Sequence, residues 1–173
     1  MTDLVVRPFE DGDIAGASAA LVEVHATDGY PVEGVEDPKA WLTSDDVLAA
    51  WVAVDEGRVV GHISVMQPHG EDAVVLWQEQ SGDPQEGIAV LARLFVVREA
   101  RRKAAGERLM RAAMDYGQRQ ERRLVLDVMT KDVAAMRLYE RLGWRRIGEA
   151  VHQYGDGQSI NAVCYVSPDP ERR

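Results

Sequence analysis

The chain has 173 residues, of which 46% are hydrophobic and 28% charged. This balance is typical of one globular domain over residues 1–173 and excludes a disordered or fibrous protein. The net charge of −9 argues against nucleic acid as a partner, and the single cysteine, Cys164, excludes an intramolecular disulfide. No apolar run reaches membrane-spanning length and residues 1–3 do not begin a basic, apolar leader. We therefore expect a cytoplasmic protein without a membrane partner.

The first half of the chain predicts strands, one long helix, one short helix and two long loops. Apolar residues recur at helical spacing after Asp13, and Asp55-Glu56-Gly57-Arg58 reads as a tight turn between two β-rich runs. The predicted elements are a strand at 4–9, a helix after 13, a loop at 26–40 with a short helix ending near 42, strands at 49–54 and 59–67, and a polar loop at 68–87 with a little strand at 74–77.

The second half predicts alternating strands and helices. The apolar run 88–97 indicates a strand buried on both faces, and Gly143 is well placed to end a helix. The predicted elements are strands at 88–97 and 124–128, helices at 105–120 and 131–142, and strands at 144–149 and 160–166. This pattern predicts an α/β (α+β) domain with one mixed sheet of about six to seven strands and about four helices.

Cations concentrate in one short segment of an acidic chain. Residues 1–97 carry four basic and 18 acidic side chains, whereas residues 98–123 carry nine basic and four acidic ones. The segment begins as a turn between a buried strand and a helix, and this turn leads into small residues at 104–106. A helix N-terminus presents unpaired amides and partial positive charge, so the segment predicts an anion site, with a solvated helix face as the alternative.

Two spaced motifs indicate which anion binds. The glycine patterns of dinucleotide and Walker sites are missing. Instead the turn reads Arg101-x-x-Ala104-x-Gly106, and a later segment reads Asp132-x-x-Ala135-x-x-x-Tyr139-x-x-x-Gly143-Trp144. In this order, with a strand between them, they resemble the motifs of the GCN5-related N-acetyltransferase (GNAT) family. The resemblance extends to the opening strand and helix and to the hairpin at 49–67.

The resemblance implies acetyl-CoA as co-substrate, no metal, and a splay between the strands at 88–97 and 124–128. Backbone groups of the strand at 88–97 would pair with the pantetheine arm. The turn after this strand, together with the start of the following helix, would hold the pyrophosphate. The cofactor-binding residues implied are Leu94, Phe95, Val96, Arg101, Arg102, Lys103, Ala104, Ala105, Gly106, Glu107 and Asp132.

The resemblance also assigns two catalytic candidates. Tyr139 matches the tyrosine that protonates the leaving thiolate, and Asp127 matches a glutamate that acts as base in some members. A packed core tyrosine and a structural aspartate are the alternatives. If Asp127 is the base, burial is expected to raise its pKa. Ala104 replaces a motif glycine, which is tolerable if its backbone keeps φ below zero.

The function implied is transfer of an acetyl group to a primary amine of a small molecule, peptide or protein. Tyr30 and Trp41 are candidates for the acceptor side, whose acidity favours a cationic amine. His25 and His62 are interpreted as surface or core histidines, with a place in the acceptor cleft as the alternative. Glu107 and Asp132 also depart from the family pattern. With Ala104 they keep open a non-catalytic acyl-CoA-binding or regulatory module, and an enzyme that uses a longer acyl-CoA is a third possibility. Many family members are dimers, so a homodimer is one expected state.

Overall fold

A computed structural model describes residues 4–30, 36–154 and 156–169. Its seven strands form one mixed sheet in the order β1-β2-β3-β4-β5-β7-β6, which confirms the predicted fold class. The strands are β1 (Val5–Pro8), β2 (Val47–Asp55), β3 (Arg58–Met66), β4 (Ile88–Val96), β5 (Arg123–Met129), β6 (Arg145–Tyr154) and β7 (Gln158–Val166). The helices are α1 (Ile14–Asp28), α2 (Pro38–Leu42), α3 (Asp72–Ser81), α4 (Ala105–Arg119) and α5 (Val133–Arg141).

The chain divides into two compact units. The first combines the residues up to 66 with residues 92–113, and the second combines residues 67–91 with the residues from 114 onward. The prediction of a single domain over 1–173 stays a prediction. Part of the loop predicted at 26–40, residues 31–35, lies outside the described residues.

In the first unit, β1, β2 and β3 form an antiparallel meander. The predicted hairpin turn is present. Glu56 and Gly57 both have positive φ, 55° and 77°, as the two central residues of a type I′ hairpin turn require. Gly61 on β3 has almost no space for a side chain: a Cβ there would lie 3.1 Å from both Leu109 Cδ1 and the Phe95 carbonyl oxygen. This close approach lets the first turns of α4 pack against the sheet.

The second unit contains both parallel and antiparallel pairing. β4 and β5 pair in parallel at three positions, from Ile88↔Arg123 to Val90↔Val125, so this ladder occupies the first three residues of the nine in β4. β5 and β6 each pair antiparallel with β7.

The polar loop predicted at 68–87 is wrong in part, and so is the little strand predicted within it at 74–77, because residues Asp72–Ser81 form α3. Ala73, Val74 and Trp77 are buried, at helical rather than alternating spacing. Gly82 ends the helix in the left-handed conformation, with φ 76°. The local composition is β-rich, but the buried stripe belongs to a short helix that packs on β5, β6 and β7.

Candidate active site

The basic turn leads directly into α4, as predicted. Residues Arg98–Lys103 form a 3₁₀ turn, and Ala104 follows with φ 60° and ψ 28°. The Ala104 carbonyl accepts the first helical hydrogen bond, from the amide of Arg108 at 3.0 Å. The amides of Ala105 and Gly106 therefore lie in the first turn, where an α-helix provides no acceptor for them.

The condition under which alanine is tolerable at position 104, a φ below zero, is not met. The chain reverses from the 3₁₀ turn into α4 at this residue, and that reversal needs a left-handed backbone. A side chain in this conformation costs about 1–2 kcal/mol, whereas glycine adopts it readily. Ala104 therefore holds a strained backbone at the position where the family motif has glycine.

Most of the cations in the turn contact acidic side chains of the same unit. Arg101 pairs with Asp28, and its Nε donates to the Val96 carbonyl at 3.1 Å. Arg98 also pairs with Asp28, at 3.0 Å. These contacts lower the pKa of the Asp28 carboxyl, against a desolvation effect that acts in the opposite direction.

The two remaining cations differ in their surroundings. Lys103 Nζ lies 2.5 Å from Asp55 Oδ2, and this hydrogen bond raises the pKa of the Lys103 ammonium. Arg102 is exposed, and no hydrogen bond or ion pair of its side chain is formed within the described part of the chain. Arg102 is therefore the cation of this turn most available to an incoming anion.

The predicted pantetheine-binding segment lies at the end of β4. Phe95 and Val96 are buried, and Leu94 is half-buried. One of its backbone groups is already used, because the Val96 carbonyl accepts from Arg101.

The strand is irregular just before this segment. Arg93 has φ 59°, so the carbonyls next to it turn out of the regular ladder. Ser64 Oγ donates to the Ala92 carbonyl at 3.0 Å, and His62 Nδ1 lies 2.8 Å from the Arg93 carbonyl. Two side chains of β3 thus stabilise the irregular backbone of β4.

Tyr139 lies in the second unit, on α5. It is buried, and its ring contacts those of Trp144 and Tyr165. Burial first, and then the nearby carboxylates of Asp132 and Asp127, raise the pKa of its phenol. Among the described residues, no hydrogen bond to the Tyr139 hydroxyl is formed, so its proton is available to another group.

Asp127 and Asp132 lie in the same unit as Tyr139. Asp127 is on β5, paired with Cys164 of β7, and its side chain is exposed. The burial expected for a base of raised pKa is not found there. Asp132 is half-buried at the start of α5, where the amide of Met136 donates to its carbonyl at 3.1 Å.

His62 is predicted as a surface or core histidine or as an acceptor-side candidate, whereas no sequence motif assigns a role to Arg93. His62 is fully buried, and Arg93 stacks on the indole of Trp41, with its guanidinium carbon 5.1 Å from the ring centroid. Arg93 could have been noticed, because it is the one charged residue in the apolar run 88–97.

Metal-binding clusters and membrane-spanning helices are both absent from residues 4–30, 36–154 and 156–169. No group of three or more His, Cys, Asp or Glu side chains there could hold a metal ion. No helix in the same ranges is both long and apolar enough to cross a membrane.

The comparisons with known proteins agree with this geometry. The sequence model described as "Acetyltransferase (GNAT) family" matches residues 11–144. A search of curated protein sequences gives no match.

Many solved structures share the fold. The ribosomal-protein-S18-alanine N-acetyltransferase from Escherichia coli is 18% identical, with 96% of this chain and 94% of that chain covered and a TM-score of 0.70. NAA60 from Arabidopsis thaliana, in complex with acetyl-CoA, is 20% identical, with coverages of 95% and 97% and a TM-score of 0.72. The putative acetyltransferase yncA from Salmonella typhimurium, with its cofactor acetyl-CoA, is 15% identical, with coverages of 96% and 98% and a TM-score of 0.72. With the family model matching most of its length, the chain belongs to the acetyltransferase (GNAT) family.

Proposed function

We propose that the protein is an acetyl-CoA-dependent N-acetyltransferase that moves the acetyl group to a primary amine by direct attack. The observation that carries the proposal is the start of α4. Arg102 is exposed and has no side-chain partner among the described residues, and with the first-turn amides that follow Ala104 it supplies the positive charge and N–H donors that a diphosphate requires.

In this proposal the cofactor is held by two segments of the first unit. The turn and helix start, Arg101 to Glu107, bind the pyrophosphate. The backbone of Leu94, Phe95 and Val96 binds the pantetheine arm in the manner of an added strand. Asp132, in the second unit, replaces the asparagine with which the family contacts the cofactor, and it acts as an acceptor only.

The chemistry needs few groups. The neutral amine attacks the thioester carbonyl, and the carbon–sulfur bond then breaks. Tyr139 donates its phenolic proton toward the departing sulfur, and the proton released by the attacking nitrogen restores the phenol through solvent. Because its pKa is raised above that of a free phenol, the phenol is protonated at neutral pH and can act as a proton donor.

A dedicated base is not required by this scheme. The candidate base Asp127 is exposed. In this scheme it accepts the amine proton without controlling the rate. An amine that reaches the site already neutral needs only to be positioned next to the thioester carbonyl.

A non-catalytic acyl-CoA-binding module is the second candidate function. Its specific support is that Arg98, Arg101 and Lys103 already contact carboxylates, while Ala104 strains the backbone that must approach the phosphates. These features favour weaker cofactor binding than the family motif provides.

Release of free thiol from acetyl-CoA, measured against a panel of primary amines, separates the two candidates. A transferase releases thiol only when an amine is present and forms the N-acetyl product. A binding module is stabilised against heat by CoA esters and turns over none of the amines. Size-exclusion chromatography of the same sample tests the expected homodimer.

A further inference from the structure

Arg93 is a half-buried cation that forms no ion pair in the described part of the chain. Burial lowers the pKa of its guanidinium, and Tyr30 and Asp46 act electrostatically in the opposite direction. Half-buried cations are ordinarily paired with a carboxylate of the protein, because removing a charge from water is costly. Arg93 is held by neutral groups instead.

Those neutral groups occupy one side of the guanidinium. Nη1 donates to the Trp41 carbonyl and, at 3.1 Å, to Ser44 Oγ, so both of its hydrogens are used. Among the described residues, Nε and Nη2 have no acceptor. The edge formed by Nε–H and Nη2–H is the one with which arginine binds a planar carboxylate through two parallel hydrogen bonds.

The guanidinium lies against an aromatic cluster. Trp41 lies under the guanidinium, 6.2 Å from both Tyr30 and Phe95 between ring centroids. Trp41 and Tyr30 are half-buried, whereas Phe95 is buried. Stacking on Trp41 fixes the plane of the guanidinium and shields it from water, which strengthens its interaction with an anion.

The position of Arg93 along β4 relates it to the acetyl transfer. Arg93 directly precedes Leu94, Phe95 and Val96, the segment assigned to the pantetheine arm. Its positive φ interrupts the regular conformation of β4, and hydrogen bonds from His62 and Ser64 stabilise the backbone at this point. A group bound by Arg93 would therefore belong to the acceptor.

We propose that Arg93 binds the carboxylate of the acceptor and that the acceptor is an amino acid or a similar small molecule that carries both an amine and a carboxylate. This proposal rests on the proposed function, because it names the substrate class of the same reaction. A structural tether between β4 and α2 would explain the contacts to Trp41 and Ser44, but it would leave the Nε–Nη2 edge without a purpose.

The charges of the first unit fit such an acceptor at both ends. Residues 1–66, which belong to this unit, carry 13 acidic and three basic side chains, and they attract the ammonium group, as any amine acceptor requires. Arg93 then discriminates among amines, since only those with a carboxylate satisfy its free edge. Simple amines and polyamines leave that edge unpaired.

The test compares each L-amino acid with its own amide, which keeps the amine and the side chain and removes the negative charge. For the best acceptor, we expect kcat/KM for the acid to exceed that for the amide by about 10- to 100-fold. Arg93→Gln should abolish this preference and leave kcat/KM for the amide within threefold. Arg93→Lys should restore part of it, since the charge returns without the planar fork.

A matched control removes a charge elsewhere. Arg119 is exposed at the end of α4, and Arg119→Gln should leave the preference for the acid unchanged. Equal kcat/KM values for acids and amides in the wild type, or equal losses for both in Arg93→Gln, would overturn the proposal.

A binding measurement separates this proposal from the proposed function. Calorimetric titration of the CoA complex with amino acids should give binding to the wild type and none to Arg93→Gln, with unchanged CoA affinity. Binding of this kind without any turnover would refute the transferase and leave the Arg93 site standing. Turnover of amines that lack a carboxylate, without binding of amino acids, would refute the Arg93 site and leave the transferase standing.

Discussion

The imidazole of His62 in β3 donates a hydrogen bond of 2.8 Å from Nδ1 to the backbone carbonyl of Arg93 in β4. A carbonyl only accepts, so Nδ1 carries the proton in this contact. The ring is fully buried, stacked on Phe95 and in edge contact with Phe9, and its Nε2 has no partner among the described residues. His62 therefore stabilises the irregular point of β4 in its neutral form.

This burial makes stability depend on pH. Desolvation is the main cause that lowers the pKa of His62 to about 4, so below pH 6.5 the unfolded chain gains a proton that the folded chain does not bind. The contribution is fully present above pH 6.5 and is lost as the pH falls through 4, by roughly 3 kcal/mol. Urea unfolding of the wild type and of His62→Phe between pH 7.5 and 4 should show this loss in the wild type only.

The exposed His69 provides the control for that experiment. His69→Gln should follow the pH dependence of the wild type. If His62→Phe loses stability with falling pH as steeply as the wild type does, a different group controls acid unfolding.

A second prediction concerns the strained backbone at Ala104. Ala104→Gly should raise the free energy of unfolding by about 1 kcal/mol, because glycine adopts φ 60° without steric cost. It should also lower KM for acetyl-CoA, since the removed methyl group lets the phosphates approach the amides of α4. Unfolding curves and initial rates measure the two effects.

Ala105→Gly is the matched control, because Ala105 lies inside the first turn of α4 with its side chain buried. That substitution should destabilise the protein by about 1 kcal/mol. A loss of stability in Ala104→Gly would contradict the strain.

A third prediction separates chemistry from packing at Tyr139. Tyr139→Phe should lower kcat by about 10- to 1000-fold, because the phenolic proton no longer reaches the leaving sulfur. It should change the unfolding free energy little, since in the described residues the hydroxyl makes no hydrogen bond.

Tyr165 supplies the opposite case. Its hydroxyl donates to Glu140 Oε2 at 2.6 Å, so Tyr165→Phe should cost about 1–3 kcal/mol of stability while it affects kcat less. If both variants keep full kcat, Tyr139 is a packing residue.

A fourth prediction tests the diphosphate site. Arg102→Ala should raise KM for acetyl-CoA about three- to tenfold and leave kcat and acceptor selectivity unchanged. The effect is modest because Arg102 is exposed and its charge is screened. The wild-type KM should rise with added salt, and less so in the variant. An unchanged KM in Arg102→Ala would place the diphosphate elsewhere.

A fifth prediction addresses the need for a base. Asp127→Asn should lower kcat/KM by less than threefold, because the exposed carboxylate lacks the desolvation that tunes a catalytic base. The pH profile of kcat/KM should keep its acidic limb, which then belongs to the amine acceptor. Loss of that limb in Asp127→Asn would identify Asp127 as the base.

Local patterns were sufficient for the strands, for α4 and α5 and for the turn between β2 and β3. Each of these depends on neighbours in sequence: the apolar spacing that one face of an element requires, and the glycine that a tight turn requires. The two motifs identified the family for the same reason, because binding a diphosphate places small residues and cations at fixed spacing next to a helix start.

Three features depended on contacts between distant parts of the chain. Residues Asp72–Ser81 became a helix because β5, β6 and β7 offer a surface for its buried stripe, although the segment itself is β-rich. The left-handed backbone of Ala104 follows from the angle between the turn and α4. Arg93 gained its role because Trp41 and Ser44, about 50 residues earlier in the sequence, occupy one edge of its guanidinium. In each case burial and hydrogen bonding across long sequence separations outweighed the local preference.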